Sequence, residues 1–230
     1  MKLTLEGHLQ ELRRRILWIF FILVLFSVIS YPLTPSLLSK IKHDLLEGSS
    51  LVVLSPQEAI MVYIKISLLL GFTLSFPFIL FHIWRFIAPG LIERERRLFL
   101  WVVPSSLLLL LLGAGFAYFF LLPITLRFLL GVAHWTAVPM LSLERTINFI
   151  LLIILISGLI FQLPLVVGIL TRLGLVNYKV LSSKRRYVIL LAFIISAVIT
   201  DPGMVTQILV AIPIIILYEI SILVSKILRK

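Results

Sequence analysis

Carboxylates surrounded by arginines are the residues of this sequence best suited to binding chemistry. Glu11 lies in the segment HLQELRRR, and Glu93 and Glu95 lie in the segment IERERR at 92–97. A carboxylate accepts a guanidinium group in a bidentate, geometrically selective manner. One hypothesis is that Glu11 and Glu95 together grip adjacent arginines of a partner peptide. The alternative is a basic membrane anchor with local salt bridges, which contribute at most about 1 kcal/mol each when exposed.

The sequence contains no motif that indicates catalysis. The chain contains neither the H-E-x-x-H pattern of a zinc protease nor the G-x-x-x-x-G-K-[ST] pattern of a nucleotide-binding loop. It has no cysteine, and its four histidines are too scattered to form a ligand set. The sequence therefore predicts a protein that is not an enzyme and that holds no metal or cofactor.

Five polar residues interrupt otherwise apolar runs: Lys65, Asn148, Gln162, Gln207 and Glu219. Such residues usually face other helices or a wet cavity. We expect Lys65 to extend to the nearer membrane surface and Glu219 to pair with a cytoplasmic lysine or arginine. Gln162 is too far from either surface, and Pro164 would free an upstream carbonyl as its partner. Helix packing and a functional polar site remain open for Gln162.

The composition places the chain in the membrane class. Hydrophobic residues make up 61% and charged residues 13%, against about 45–50% and about 25% in soluble domains. The net charge of +11 would suggest nucleic acid in a soluble protein. Because the basic residues here lie between apolar runs, anchoring on the cytoplasmic side explains them better than nucleic acid does.

Apolar runs predict six transmembrane helices in a single domain, residues 1–230, because a spanning helix needs about 20 residues. An Asp-Pro-Gly turn after Thr200 separates the last two runs. Both look short, and the first of them would extend about 21 Å against a core of about 30 Å. The predicted spans are 16–33, 59–86, 98–124, 147–170, 187–200 and 204–225, and the predicted extracytoplasmic caps are 34–57 and 125–146.

Prolines and basic residues complete the predicted architecture. Prolines 77, 104, 123, 164 and 213 are expected to kink the helices, and bent helices favour a concave wall. Sixteen of the 21 lysines and arginines fall in the two termini, in the loops after the second and fourth spans or, for Arg85, directly before the first of these loops. Four fall in the two predicted extracytoplasmic caps. This asymmetry predicts that both termini are cytoplasmic.

The sequence up to this point leaves three classes of function. The first is a receptor for a basic peptide. The second is a small secondary transporter or channel with Gln162 and Lys65 in its pathway. The third is a purely structural subunit of an assembly. The absence of internal repeats argues against the second class.

Five motifs in consistent order resemble the TatC family, the membrane receptor of the twin-arginine protein translocase. They extend over about residues 5 to 225. They are HLQELRRR, SPQEAIMVYIKIS at 55–67, FPFILFHIWRFIAPGLIERERRLF at 76–99, FQLPLVV at 161–167 and QILVAIPIIILYEIS at 207–221.

This resemblance implies a six-helix concave bundle in the inner membrane that binds the twin-arginine signal peptides of folded precursors. The implied binding residues are Glu11, Arg13, Phe86, Glu95 and Arg97, with Glu93 as a further member. The resemblance also implies self-association and export driven by the proton-motive force.

The resemblance further implies that single-span TatA and TatB partners dock beside a polar patch on the last two helices. Thr200 and Gln207 match this patch, and Gln162 matches an acidic or amide position in the fourth helix. An aspartate of the family aligns with Gly203 of this sequence. Asp201 lies two residues earlier, and whether it takes over the role of that aspartate stays open.

Overall fold

The structure is a computed structural model that describes residues 5–46, 50–87, 99–136, 139–199 and 203–228. These residues form ten α-helices and two short strands. The helices are α1 Leu5–Ser30, α2 Thr34–Leu45, α3 Pro56–Ile87, α4 Phe99–Phe116, α5 Leu122–Thr136, α6 Leu143–Ile160, α7 Leu163–Arg172, α8 Tyr178–Ser183, α9 Arg185–Ile199 and α10 Met204–Leu228. The strands are β1 Ser50–Val52 and β2 Met140–Ser142.

Five segments of the described chain are long and apolar enough to cross a membrane. They are Gln10–Leu45, Pro56–Phe86, Trp101–Ala133, Leu143–Arg172 and Met204–Leu228. The predicted helical membrane protein is therefore confirmed. The fifth predicted span corresponds to α9, whose 15 residues extend about 22 Å.

The expectation of a short final helix is wrong. α10 has 25 residues and extends about 38 Å. The helix continues past the predicted end at residue 225, and Lys226 in its last turn interacts favourably with the helix dipole.

α1 and α3 pack closely along each other in opposite directions. A Cβ added to Gly71 would lie 2.6 Å from the backbone of Ser27, so only glycine permits this approach. Phe26 stacks on Phe78 with ring centroids 5.6 Å apart. This pairing brings the beginning of α1 to the end of α3.

α4 and α6 meet at a second close contact. The Ser157 hydroxyl donates to the carbonyl of Gly113 at 2.9 Å. A Cβ on Gly113 would lie 2.7 Å from the Ser157 carbonyl oxygen and 2.8 Å from Cα of Gly158. Small residues therefore let the two backbones touch, as they often do in membrane helices.

Two prolines coincide with interruptions of the helices. Pro123 is the second residue of α5, directly after a π-helical turn at Ala117–Leu121. Pro164 is the second residue of α7, and Phe161 and Gln162 separate α7 from α6. The helix of the fourth span, which was expected to kink at Pro164, is thus interrupted within the span, because Pro164 has no N–H to continue the helical hydrogen bonds.

The segments that connect α1 to α3 and α5 to α6 pack against one another. β1 pairs in parallel with β2, with Leu51 opposite Leu141. Ile41 and Leu46, at the end of α2, are 1% exposed and belong to the main hydrophobic cluster. That cluster also contains fully buried residues of the spans: Val62, Ile66, Leu122, Ile147 and Ile150.

α10 packs along α7 and α9. The Thr171 hydroxyl donates to the Ser225 hydroxyl at 2.9 Å, and both side chains are buried. On the other side, Ala192 and Ala211 form a small buried cluster with Ile214.

Candidate functional site

The shared end of α1 and α3 contains a polar cavity of about 260 Å3. Its lining combines one carboxylate with several bases and an indole. The lining residues are Glu11, Arg14, Arg15, Trp18, His82 and Arg85.

Arg15 organises this cavity. It forms an ion pair with Glu11 one turn earlier on α1. Its other terminal nitrogen donates to the backbone carbonyl of His82 on α3 at 3.0 Å. The Arg15 side chain is 13% exposed. One guanidinium group therefore orients Glu11 and also links the two helices.

Glu11 keeps binding capacity despite this ion pair. Arg15 occupies Oε1, and Oε2 accepts no hydrogen bond from the part of the chain that the structure describes. The side chain is 28% exposed at the cavity. A carboxylate has about four lone-pair sites, so a second donor can bind without displacing Arg15.

The antiparallel register brings Phe86 to the same level as Glu11. Arg15 lies beside His82; Glu11 is one turn before Arg15, and Phe86 is one turn after His82. Phe86 is half-buried, and Arg13 is exposed at the same end of α1. Glu11, Arg13 and Phe86 thus occupy neighbouring turns at one end of the helix pair.

Several predicted residues lie outside the described residues. They are Glu93, Glu95 and Arg97 in the segment 88–98, and Thr200 and Asp201 in the segment 200–202.

Sequence reasoning missed the roles of Arg15, His82 and Arg85. The spacing of Glu11 and Arg15, four residues apart on a helix, was a signal for their ion pair. No sequence signal identifies the His82 carbonyl, because any residue has one. Arg85 became recognisable only when the register of α1 against α3 was known.

Gln162 connects two helices. Its Nε2 donates to the backbone carbonyl of Ser106 on α4 at 3.0 Å. The prediction that its partner is the carbonyl freed by Pro164 is therefore wrong. The break between α6 and α7 directs the amide across to α4 rather than back along its own helix.

Gln207 makes a similar connection between the last two helices. Its Nε2 donates to the backbone carbonyl of Phe193 at 2.9 Å, which joins α10 to α9. Both Gln162 and Gln207 are half-buried. Each amide therefore serves helix packing and still has part of its surface accessible.

Lys65 and Glu219, the two charged residues that interrupt the apolar runs, are both paired. Lys65 donates to Glu144 at 2.7 Å, and the two side chains are 34% and 35% exposed. The expectation that Lys65 merely extends to the surface missed this partner on α6. Glu219 accepts from Arg185 at 2.8 Å, as predicted for a basic partner. Since Lys65 and Gln162 are both engaged within the protein, the structure adds no support for a channel pathway through them.

These features define a polytopic helical membrane protein with a carboxylate-containing basic cavity at the shared end of two helices. A family model for the Sec-independent protein translocase protein TatC matches residues 7–213. The chain belongs to the TatC family.

Individual relatives agree over nearly the whole length. The Sec-independent protein translocase protein TatC of Aquifex aeolicus is 39% identical, covering 97% of this chain and 95% of that protein. The corresponding protein of Desulforapulum autotrophicum is 37% identical, covering 97% and 84%. The crystal structure of the twin arginine translocase receptor TatC gives a TM-score of 0.88 at 38% identity, covering 97% of this chain and 100% of that one.

The family assignment confirms two predictions. The resemblance drawn from the five motifs was right. Because TatC is a family of translocase receptors, the prediction of a non-enzymatic membrane protein is confirmed as well.

Proposed function

We propose that this chain binds the twin-arginine signal peptides of folded precursors at the shared end of α1 and α3. The observation that carries the proposal is Glu11, which Arg15 holds in place at the cavity while one carboxylate oxygen stays available. A guanidinium of the signal donates to this oxygen. Phe86 packs against an apolar residue of the signal, and Glu95 receives the second guanidinium.

The basic surroundings of Glu11 favour arginine over lysine. Arg14, Arg15 and Arg85 also line the cavity and repel any cation that enters. A guanidinium offsets this repulsion with two directed hydrogen bonds, whereas an ammonium acts as a point charge. In this proposal Arg13, Arg97 and Glu93 complete the site around the two carboxylates.

The proposed membrane arrangement has six spans, with both termini cytoplasmic in the inner membrane. The fifth span is α9, and its length of about 22 Å is matched by a locally thinned bilayer. The bases at the shared end of α1 and α3 support this orientation.

Partner docking forms the second part of the proposal. Single-span TatA and TatB helices dock at the polar positions Gln162, Thr200 and Gln207 on a concave face. The half-exposed amides of Gln162 and Gln207 support this, since each has donor or acceptor capacity beyond its one helix–helix bond. Receptor copies associate with one another, and the proton-motive force drives export.

Signal-peptide affinity tests the site. The purified protein in nanodiscs is titrated with a fluorescent twin-arginine peptide. Glu11→Gln should lower the affinity about tenfold or more, because a charge-assisted hydrogen bond is lost. Glu219→Gln is the matched control, since it also removes a carboxylate paired with an arginine. Equal affinities of the wild type and Glu11→Gln would show that the signal binds elsewhere.

A further inference from the structure

A second cavity, of about 510 Å3, lies between α4, α7 and α10. Ser105 and Arg172 supply polar groups to its lining, and the other lining residues are apolar. This cavity shares no lining residue with the proposed signal site. A ligand that suits this lining has an apolar body and a polar end, and it lies apart from the proposed signal site.

Arg172 supplies the charge at the polar end. It lies in the last turn of α7 and is exposed. It forms no hydrogen bond or ion pair with any residue that the structure describes. A cation at a helix C-terminus favours the helix dipole, but that role leaves all five guanidinium donors free for a ligand.

The volume of the cavity indicates that its ligand is a lipid chain rather than a peptide helix. A spanning helix of 20 residues is about 30 Å long and at least about 10 Å wide, which encloses roughly 2,400 Å3. The cavity holds about a fifth of that volume. It lies within the range of about 300–1,000 Å3 that is typical of pockets for small ligands. An acyl chain fits where a helix does not.

We propose that this cavity binds one acyl chain of an anionic phospholipid, with the phosphate on the Arg172 guanidinium. Basic pockets between transmembrane helices are a recurring way of binding acidic headgroups. Trp101, which is 76% exposed at the rim, carries the amphipathic ring that favours the membrane interface.

Gly168 keeps the cavity open. A Cβ at this position would lie 3.4 Å from side-chain atoms of both Val224 and Leu228. A longer side chain here would enter the space between α7 and α10. The absence of a side chain thus leaves room for a ligand where the two helices pack.

Lipid titration with native mass spectrometry tests the proposal. The purified protein is titrated with phosphatidylglycerol and phosphatidylcholine of identical chains. Arg172→Gln should weaken phosphatidylglycerol binding about fivefold, as expected for one interfacial arginine. It should weaken phosphatidylcholine binding less, because the choline cation already offsets the charge of the phosphate. Lys179→Gln is the matched control, because Lys179 is also exposed and follows the same helix. It should change neither affinity.

Two further arms separate the alternatives. Ser105→Trp fills the cavity and should weaken binding of both lipids. Glycerol 1-phosphate, which has a headgroup and no chain, should not compete.

Unchanged phosphatidylglycerol affinity in Arg172→Gln would overturn the proposal. Displacement of the lipid by a twin-arginine peptide would also overturn it, and would assign the cavity to the signal. Signal affinity of Arg172→Gln should equal that of the wild type, so this test is independent of the Glu11 site.

Discussion

Arg15 and Glu11 form an ion pair one helical turn apart at the mouth of the α1–α3 cavity. Because Arg15 also binds the His82 carbonyl on α3, the carboxylate is positioned relative to both helices. Such preorganisation reduces the side-chain entropy that binding would otherwise cost. Glu11 is therefore a receptor group whose orientation is set before a ligand arrives.

The first prediction concerns the link between α1 and α3. Arg15→Gln should lower the free energy of unfolding by about 1–3 kcal/mol, because it removes charge-assisted bonds to Glu11 and to the His82 carbonyl. Arg13→Gln is the control, since Arg13 is exposed and has no bond within the described structure. Denaturant unfolding of the detergent-solubilised variants measures the difference. Equal stabilities would show that the Arg15 link contributes nothing.

The second prediction concerns Gln162 and separates docking from helix packing. Gln162→Leu removes the bond to Ser106 and should cost about 0.6–1.7 kcal/mol of stability. We also expect it to impair transport, whereas Gln162→Glu should be tolerated, because a protonated glutamate can donate the same bond. Export of a reporter precursor in cells measures this. Wild-type export by the leucine variant would reduce Gln162 to a packing residue.

The third prediction uses two glycines two residues apart on α4. Gly113→Ala should destabilise the protein by about 1–3 kcal/mol, because its methyl group would meet the backbone of Ser157 and Gly158 at under 3 Å. Gly115→Ala should be neutral or slightly stabilising, since nothing lies within 4 Å of that position. Thermal unfolding of the two variants compares them directly. Equal stabilities of the two variants would show that the close contact at Gly113 accommodates a methyl group and does not determine the effect.

The sequence predicts the membrane class and most helices because both depend on local apolar runs. The residues at which helices end are less predictable, as α10 shows by continuing to Leu228. The break at Phe161 and Gln162 had a signal in Pro164. A proline predicts a disturbance but does not distinguish a kink from a full interruption.

The partners of polar residues are the least predictable part. Lys65 and Glu144 are 79 positions apart, and their ion pair depends on how α3 packs against α6. The Ser106 carbonyl that binds Gln162 carries no sequence signal at all. Glu11 was recognisable because a carboxylate among arginines is unusual, but its link to α3 requires the helix register.

The central claim is that Glu11 binds an arginine of the signal, and a double-mutant cycle tests it most directly. Wild type and Glu11→Gln are each titrated with a twin-arginine peptide and with two peptides in which one arginine is lysine. We predict that one lysine substitution weakens binding to the wild type at least about tenfold and weakens binding to Glu11→Gln far less. If every lysine substitution costs both proteins the same affinity, Glu11 does not contact the signal arginines and the account is contradicted.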